Sequence, residues 1–204
     1  MISIIDYGVG NLFSLSSSFE KIGAQTIITN DRATISSSDK IILPGVGAFG
    51  DAILKLKETG LDKIIKEEVK KGKKLLGICL GMQLLFDKSY EFGEFDGLGL
   101  VKGKVVPMKG YIDDKLNIPH TGWNLLKIKK EHPLFRYIKN EDYVYFVHSY
   151  FATDCDENVI ATTEYDKEIT AAVAKDNVAG MQFHPEKSGD VGLSILRAFC
   201  DWED

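Results

Sequence analysis

Arginine is scarce in this chain: Arg32, Arg136 and Arg197 are the only ones among 25 basic side chains. Arg is the side chain best suited to bidentate phosphate contacts, so broad phosphate reading is not a theme here. Positive charge is not in excess either. Thirty acidic against 25 basic residues leave −5 at pH 7, which argues against nucleic acid or an anionic membrane as the main partner. No run approaches the roughly 20 apolar residues of a membrane span. Met1 to Asp6 has neither the basic stretch nor the long apolar core of a secretory signal. Cysteine is limited to Cys79, Cys155 and Cys200, far apart and with no CxxC spacing. Three thiols cannot all pair, so a disulfide scaffold and a Cys-based zinc site are disfavoured and a reducing, cytoplasmic setting is expected. Repeats, low-complexity tracts and linkers are lacking as well, and residues 1–204 read as a single domain.

What is present is a rhythm. Ile2 to Ile5, Thr26 to Thr29, Ile41 to Leu43 and Leu75 to Cys79 are short apolar runs ended by Gly, Asn, Asp or Pro, as buried strands are. Between them, Leu12 to Ile22 and Ala52 to Lys71 carry apolar residues at spacings of three and four, the second interrupted at Gly60 and read as two helices. Ser36 to Ser38 reads as a polar turn. This βαβα alternation predicts a parallel sheet with helices on both faces. From about residue 98 strands dominate: Leu98 to Val106, Asn124 to Ile128, Tyr143 to Tyr150, Val159 to Thr163, Ile169 to Ala174 and Val178 to Phe183. A last helix, Gly189 to Asp201, covers the sheet. The expected fold is an α/β sandwich whose mostly parallel central sheet has an antiparallel extension. The run Lys70-Lys71-Gly72-Lys73-Lys74 reads as a helix C-terminus, where lysines favour the negative dipole end and Gly caps, rather than as a binding patch.

One thiol has a distinctive setting. Gly77-Ile-Cys79-Leu-Gly81 stands where a strand meets the helical stretch Leu80 to Asp87. Small residues two before and two after a nucleophile permit a sharp strand-to-helix turn that exposes it, as G-x-S-x-G does for serine. A thiol there faces free N–H groups that favour thiolate. Cys155, in a polar loop, and Cys200, in the last helix, lack such a context. A nucleophilic thiol needs a base with an orienting partner. His132 precedes Pro133 in a charged loop and has nothing to distinguish it. His120 lies in Ile118-Pro-His-Thr-Gly-Trp123, and His148 ends a strand. His184 leads into Pro185-Glu186, so its two ring nitrogens can serve Cys79 and Glu186, although H-P-E alone fits a surface turn equally well.

Gly77-Ile-Cys79-Leu-Gly81-Met-Gln83 together with Gln182-Phe-His184-Pro-Glu186 resembles class I (triad) glutamine amidotransferases, over the whole chain. Further blocks are similar to the glutaminase subunits of imidazole glycerol phosphate synthases: Asp6 to Leu12, Pro44 to Gly50, Ile118 to Asn124, Tyr145 to Phe151 and His184 to Ser188. The resemblance implies a flavodoxin-like sandwich in which Cys79, His184 and Glu186 hydrolyse glutamine to glutamate and ammonia. It implies an oxyanion hole from the backbone of Leu80 and of Gly45, Val46 and Gly47. It also implies that Gln83, Glu91, His148, Ser149, Tyr150 and Phe151 hold the α-amino and α-carboxylate ends of glutamine. Of these, Glu91 competes with other acids in Tyr90 to Asp96. No synthase domain is read in the chain, so ammonia would pass to a cyclase subunit of (β/α)8-barrel fold in a heterodimer. That cyclase makes imidazole glycerol phosphate and an aminoimidazole carboxamide ribonucleotide in histidine biosynthesis. Asn11, His120, Trp123, Asn124 and Lys187 lie in blocks resembling the docking and coupling surface, although Trp123 on its local context would read as a core aromatic and His120 as a satisfied polar residue.

Other signals fail. Gly8-Val-Gly10 is followed by Phe13 where a dinucleotide loop needs its third glycine. Pro44 to Gly50 has no Lys-Ser/Thr pair of a P-loop. Asp154 to Asn158 lacks the glycine and the bidentate Glu of a calcium loop. No cofactor or metal is implied. The competing functions are a glutaminase of this lineage feeding a sugar-amidating synthase, a non-catalytic scaffold subunit, and a thiol protease. The intact Cys, His and Glu speak against the scaffold, and Gln83 with the His148 block suits a small amino acid better than a peptide.

Overall fold

The computed structural model describes residues 1–203. Among them, apolar strands of four or five residues build the centre of the molecule. Strands β1 (Ile2–Ile5), β2 (Thr26–Thr29), β3 (Lys40–Leu43) and β4 (Lys74–Ile78) alternate with helices α1 (Leu12–Lys21), α2 (Arg32–Ser37), α3 (Phe49–Glu58) and α4 (Leu61–Lys70). The short helix α5 (Leu80–Gln83) follows β4 after one residue. Next come β5 (Lys88–Ser89), β6 (Phe95–Asp96), β7 (Lys104–Pro107), β8 (His120–Leu125), β9 (Lys127–Ile128), β10 (Tyr143–His148), β11 (Tyr150–Thr153), β12 (Val159–Tyr165), β13 (Lys167–Lys175), β14 (Val178–Met181) and α6 (Gly189–Cys200).

The main sheet runs β2-β1-β3-β4-β14-β13-β12-β9. Its first five strands are parallel and the remaining three join antiparallel, which is the expected parallel sheet with an antiparallel extension. β1, β4 and β14 are fully apolar or nearly so because helices cover both faces. One layer of core holds Phe49, Leu56, Ile65 and Phe86, the other Phe19, Phe146, Phe183 and Phe199. A four-stranded sheet, β11-β7-β5-β6, and a ribbon of β8 with β10 stand beside the main sheet.

Several sequence boundaries shift. The split at Gly60 is present, and α4 ends at Lys70, one residue short of the expected Lys71, which is its C-cap. Lys73 has a fixed role: its Nζ donates to the carbonyls of Ile35 (2.7 Å) and Ser36 (2.8 Å) and pairs with buried Glu68 at 3.0 Å. Residues Arg32–Ser37, whose end was read as a polar turn, form a helix because Asp31 caps it, accepting from the Thr34 N–H. The stretch Leu98 to Val106 is a strand only from Lys104, and the helix after Cys79 ends at Gln83 rather than near Asp87. β8 starts at His120, four residues ahead of the expected strand. Tyr143 to Tyr150 is two strands parted at Ser149: β10 pairs with β8, whereas β11 pairs with β7. No described helix is long and apolar enough to cross a membrane.

Candidate active site

β4 and β14 are parallel neighbours, Ile78 beside Met181, so the residues after them emerge side by side at the carboxyl edge of the sheet. Ligand sites of open α/β sheets form at this edge. Cys79 follows β4 with φ 53° and ψ −112°, a left-handed backbone that costs a non-Gly residue about 1–3 kcal/mol. The surroundings hold it there. Its N–H donates to the Met181 carbonyl at 2.8 Å, and its carbonyl accepts from Met82 (3.0 Å) and Gln83 (3.2 Å). The flanking glycines have a steric reason: a Cβ on Gly77 would stand 2.6 Å from the Gly81 carbonyl oxygen, and one on Gly81 would stand 1.8 Å from that of Leu43.

From the β14 side comes His184, whose N–H donates to the Tyr145 carbonyl at 2.9 Å. Its Nδ1 is 2.8 Å from Glu186 Oε1, both side chains being only 4% exposed. Burial by itself pushes the imidazolium down, but the Cys79 sulfur and the Glu186 carboxylate outweigh burial and lift it to about 10. His184 Nε2 adjoins Cys79 without an aligned hydrogen bond, and it and Glu186 Oε2 are buried with no partner among the described residues. Long catalytic hydrogen bonds are usual before substrate arrives.

These groups open onto a cavity of about 560 Å³, lined by Val46, Gly47, Cys79, Leu80, Gln83, Glu91, His148, Ser149, Tyr150 and His184 among others. That gathers most of the site residues expected from sequence. Gly45 is buried behind the wall, with the Tyr7 hydroxyl 2.7 Å from where a Cβ would be. Phe151 does not line the cavity; its ring packs against Tyr111, centroids 4.6 Å apart, beside Met108, Ile112 and Ile169. Glu91 accepts the N–H of Phe49, the first residue of α3, at 2.7 Å, and burial raises its carboxyl above the usual range.

Two histidines extend the polar wall. His148 Nδ1 is 2.8 Å from the Tyr150 carbonyl, which only accepts, so Nδ1 carries the proton and Nε2 accepts. Nε2 therefore takes its bond from His120 Nδ1 at 3.1 Å, and His120 Nε2 takes one from the Asn124 amide at 3.2 Å. Burial holds both rings neutral, His148 down to about 3 and His120 to about 4. His120 is also stacked on Tyr165 and Phe146, at centroid distances of 4.1 and 4.9 Å. Trp123, on the same strand, is 54% exposed rather than core. Its ring meets Tyr145, over which Lys187 Nζ stands at 5.7 Å. Asn11 is exposed at the start of α1.

The sequence family described as "Glutamine amidotransferase class-I" matches residues 3–201. The chain belongs to the class-I glutamine amidotransferases. Among curated relatives of this amidotransferase is the "Imidazole glycerol phosphate synthase subunit HisH" of Sulfurimonas denitrificans, 52% identical over 100% of this chain and 99% of the relative. The proteins of the same name from Caldanaerobacter subterraneus subsp. tengcongensis (52%, covering 98% and 97%) and Lactococcus lactis (49%, covering 98% and 98%) are similar. In fold, the amidotransferase is similar to a solved "glutamine amidotransferase" (TM-score 0.75, 17% identity, covering 97% of each chain) and to PurLQS from Thermotoga maritima (TM-score 0.75, 19% identity, covering 98% and 97%).

Three residues at the site went unassigned in the sequence. Tyr7 donates its hydroxyl to the Pro44 carbonyl at 2.7 Å, and burial, with the Cys79 charge, pushes its phenol up. Lys109 lines the cavity and no spacing marks it. Gln182 lies against Cys79; its place beside His184 was its one signal. The other two thiols are free, and burial raises Cys155 to about 11 and Cys200 above its ordinary value. His132 Nδ1 accepts from the Leu134 N–H at 3.3 Å and serves the local turn. Among the described residues no cluster of His, Cys, Asp or Glu is placed to hold a metal ion.

Proposed function

We propose that this chain is the glutaminase subunit of an imidazole glycerol phosphate synthase, acting as one domain in the cytoplasm. The reading is carried by Cys79 on its strained turn beside a His184–Glu186 pair 2.8 Å apart, at one cavity. The full-length relatives named for that synthase support the specific pathway. Cys79 attacks the side-chain carbonyl carbon of glutamine and forms a tetrahedral oxyanion. His184 gives its proton to the departing nitrogen, releasing ammonia and leaving a γ-glutamyl thioester. Neutral His184 then takes a proton from water, whose oxygen displaces the thiolate and yields glutamate. Glu186 orients the ring and balances its charge. The Leu80 N–H and the Val46-Gly47 backbone bind the oxyanion, with Gly45 behind them. Gln83, Glu91, His148, Ser149 and Tyr150 hold the amino-acid end of glutamine.

Ammonia leaves for a cyclase subunit of (β/α)8-barrel fold. Asn11, His120, Trp123, Asn124 and Lys187 form or back the surface that docks it and couples the two sites. Glutamate release measured for the isolated chain should be slow and should rise strongly when the cyclase and its nucleotide ligand are added. Full turnover by the isolated chain would contradict the coupling.

A further inference from the structure

We infer that Gln182 holds the nucleophilic sulfur in place through its side-chain N–H, and that Gln83 sets its orientation. The inference rests on Cys79 being the nucleophile. Gln182 is completely buried. Its Nε2 stands 3.8 Å from Cys79 Sγ and its Oε1 2.9 Å from Gln83 Nε2. The two ends of an amide have the same shape, so their partners must decide which is which. Gln83 Nε2 is also 3.1 Å from the Tyr150 carbonyl. A backbone carbonyl only accepts, so the nitrogen end of Gln83 faces Tyr150 and Gln182. Gln182 must answer with its oxygen, and its NH2 is left facing the sulfur. Turning Gln182 over would oppose two buried donors and leave both poorly satisfied.

Tyr150 is itself fixed, because its carbonyl takes the His148 Nδ1 proton at 2.8 Å. The order of bonds therefore runs without a break from Asn124 through His120, His148, the Tyr150 carbonyl, Gln83 and Gln182 to Cys79. An N–H directed at sulfur is weak for a neutral thiol and strengthens as the sulfur gathers charge. Gln182 thus confines the charged sulfur to one position beside His184, and it does so only while Gln83 keeps it turned.

The test is the rate at which iodoacetamide labels each cysteine of the full chain, read by mass spectrometry. Gln182→Met keeps the length of the side chain and removes the donor. It is expected to slow Cys79 labelling about tenfold, the scale of one hydrogen bond to a charged group, with Cys155 and Cys200 unchanged. Gln83→Met, which frees Gln182 to rotate, should also slow Cys79. The double variant should lose no more than Gln182→Met alone, because both changes break one connection. With the partner present, Gln182→Met should lower kcat and leave the KM for glutamine within about twofold, since the interaction acts on the sulfur rather than on ground-state binding. Wild-type labelling of Cys79 in Gln182→Met would overturn the inference, as would equal changes at all three thiols, which mark general loosening. A Cys79→Ala chain that still hydrolyses glutamine would instead sink the underlying nucleophile assignment.

Discussion

Cys79 occupies a backbone conformation that L-residues avoid, and two glycines make that possible. The demand is steric and falls on residues beside the nucleophile, which is why Gly77-Ile-Cys79-Leu-Gly81 was legible in the sequence. Gly81→Ala would drive a methyl group into the Leu43 carbonyl at 1.8 Å. Overpacking of this kind costs about 3 kcal/mol, so urea unfolding should show a loss of that size and glutamine turnover should collapse with it. His184 was legible through its neighbour Glu186, two residues away in sequence and 2.8 Å away in space. Glu186→Gln removes one of the two negative groups that lift the imidazolium to about 10. His184 should then lose its proton at a lower pH, which an NMR titration of the ring would follow; an unmoved titration would leave Glu186 without its orienting role. Gln182 stands in the same motif, but nothing in the sequence marks its role. Its partners, Cys79 and Gln83, are 103 and 99 residues away, and no spacing along the chain reveals such a meeting.

The parallel half of the sheet was readable because βαβα alternation leaves few arrangements. The second half was read less well. Apolar stretches there mark burial without marking where pairing changes, so Tyr143 to Tyr150 looked like one strand. The break at Ser149 sends β10 to β8 and β11 to β7, and it brings His148 and Tyr150 onto the cavity wall. β8 contributes His120, flanked by Tyr165 and Phe146 and bonded to His148. His120→Phe preserves the stacking but leaves His148 Nε2 buried without a donor. The expected loss is about 1–3 kcal/mol, measured by urea unfolding. An unchanged midpoint would mean that stacking alone fixes the ribbon.

For the molecule as a whole, the buried histidines tie stability to pH in opposite directions. His120 and His148 are held neutral, with values near 4 and 3 against the usual 6.5. The unfolded chain takes up these protons more readily, so their contribution is present above about pH 6.5 and is lost as pH falls towards 4 and 3. Each ring removes at most about 1.4 kcal/mol per pH unit across that window. His184, lifted to about 10, contributes fully below pH 6.5, and its contribution is lost as pH rises towards 10. Urea midpoints should therefore fall on acidification from pH 7 to pH 5, and less so in a chain lacking the His120 imidazole.

The assembled enzyme offers the most direct test of Cys79 as the nucleophile that supplies ammonia to a second subunit. Cyclase product formed by the complex with Cys79→Ala is measured once with glutamine and once with an ammonium salt. Synthesis from glutamine should vanish while synthesis from ammonia continues at the wild-type rate. Loss of both would make Cys79 a structural residue, and survival of the glutamine reaction would place the nucleophile elsewhere.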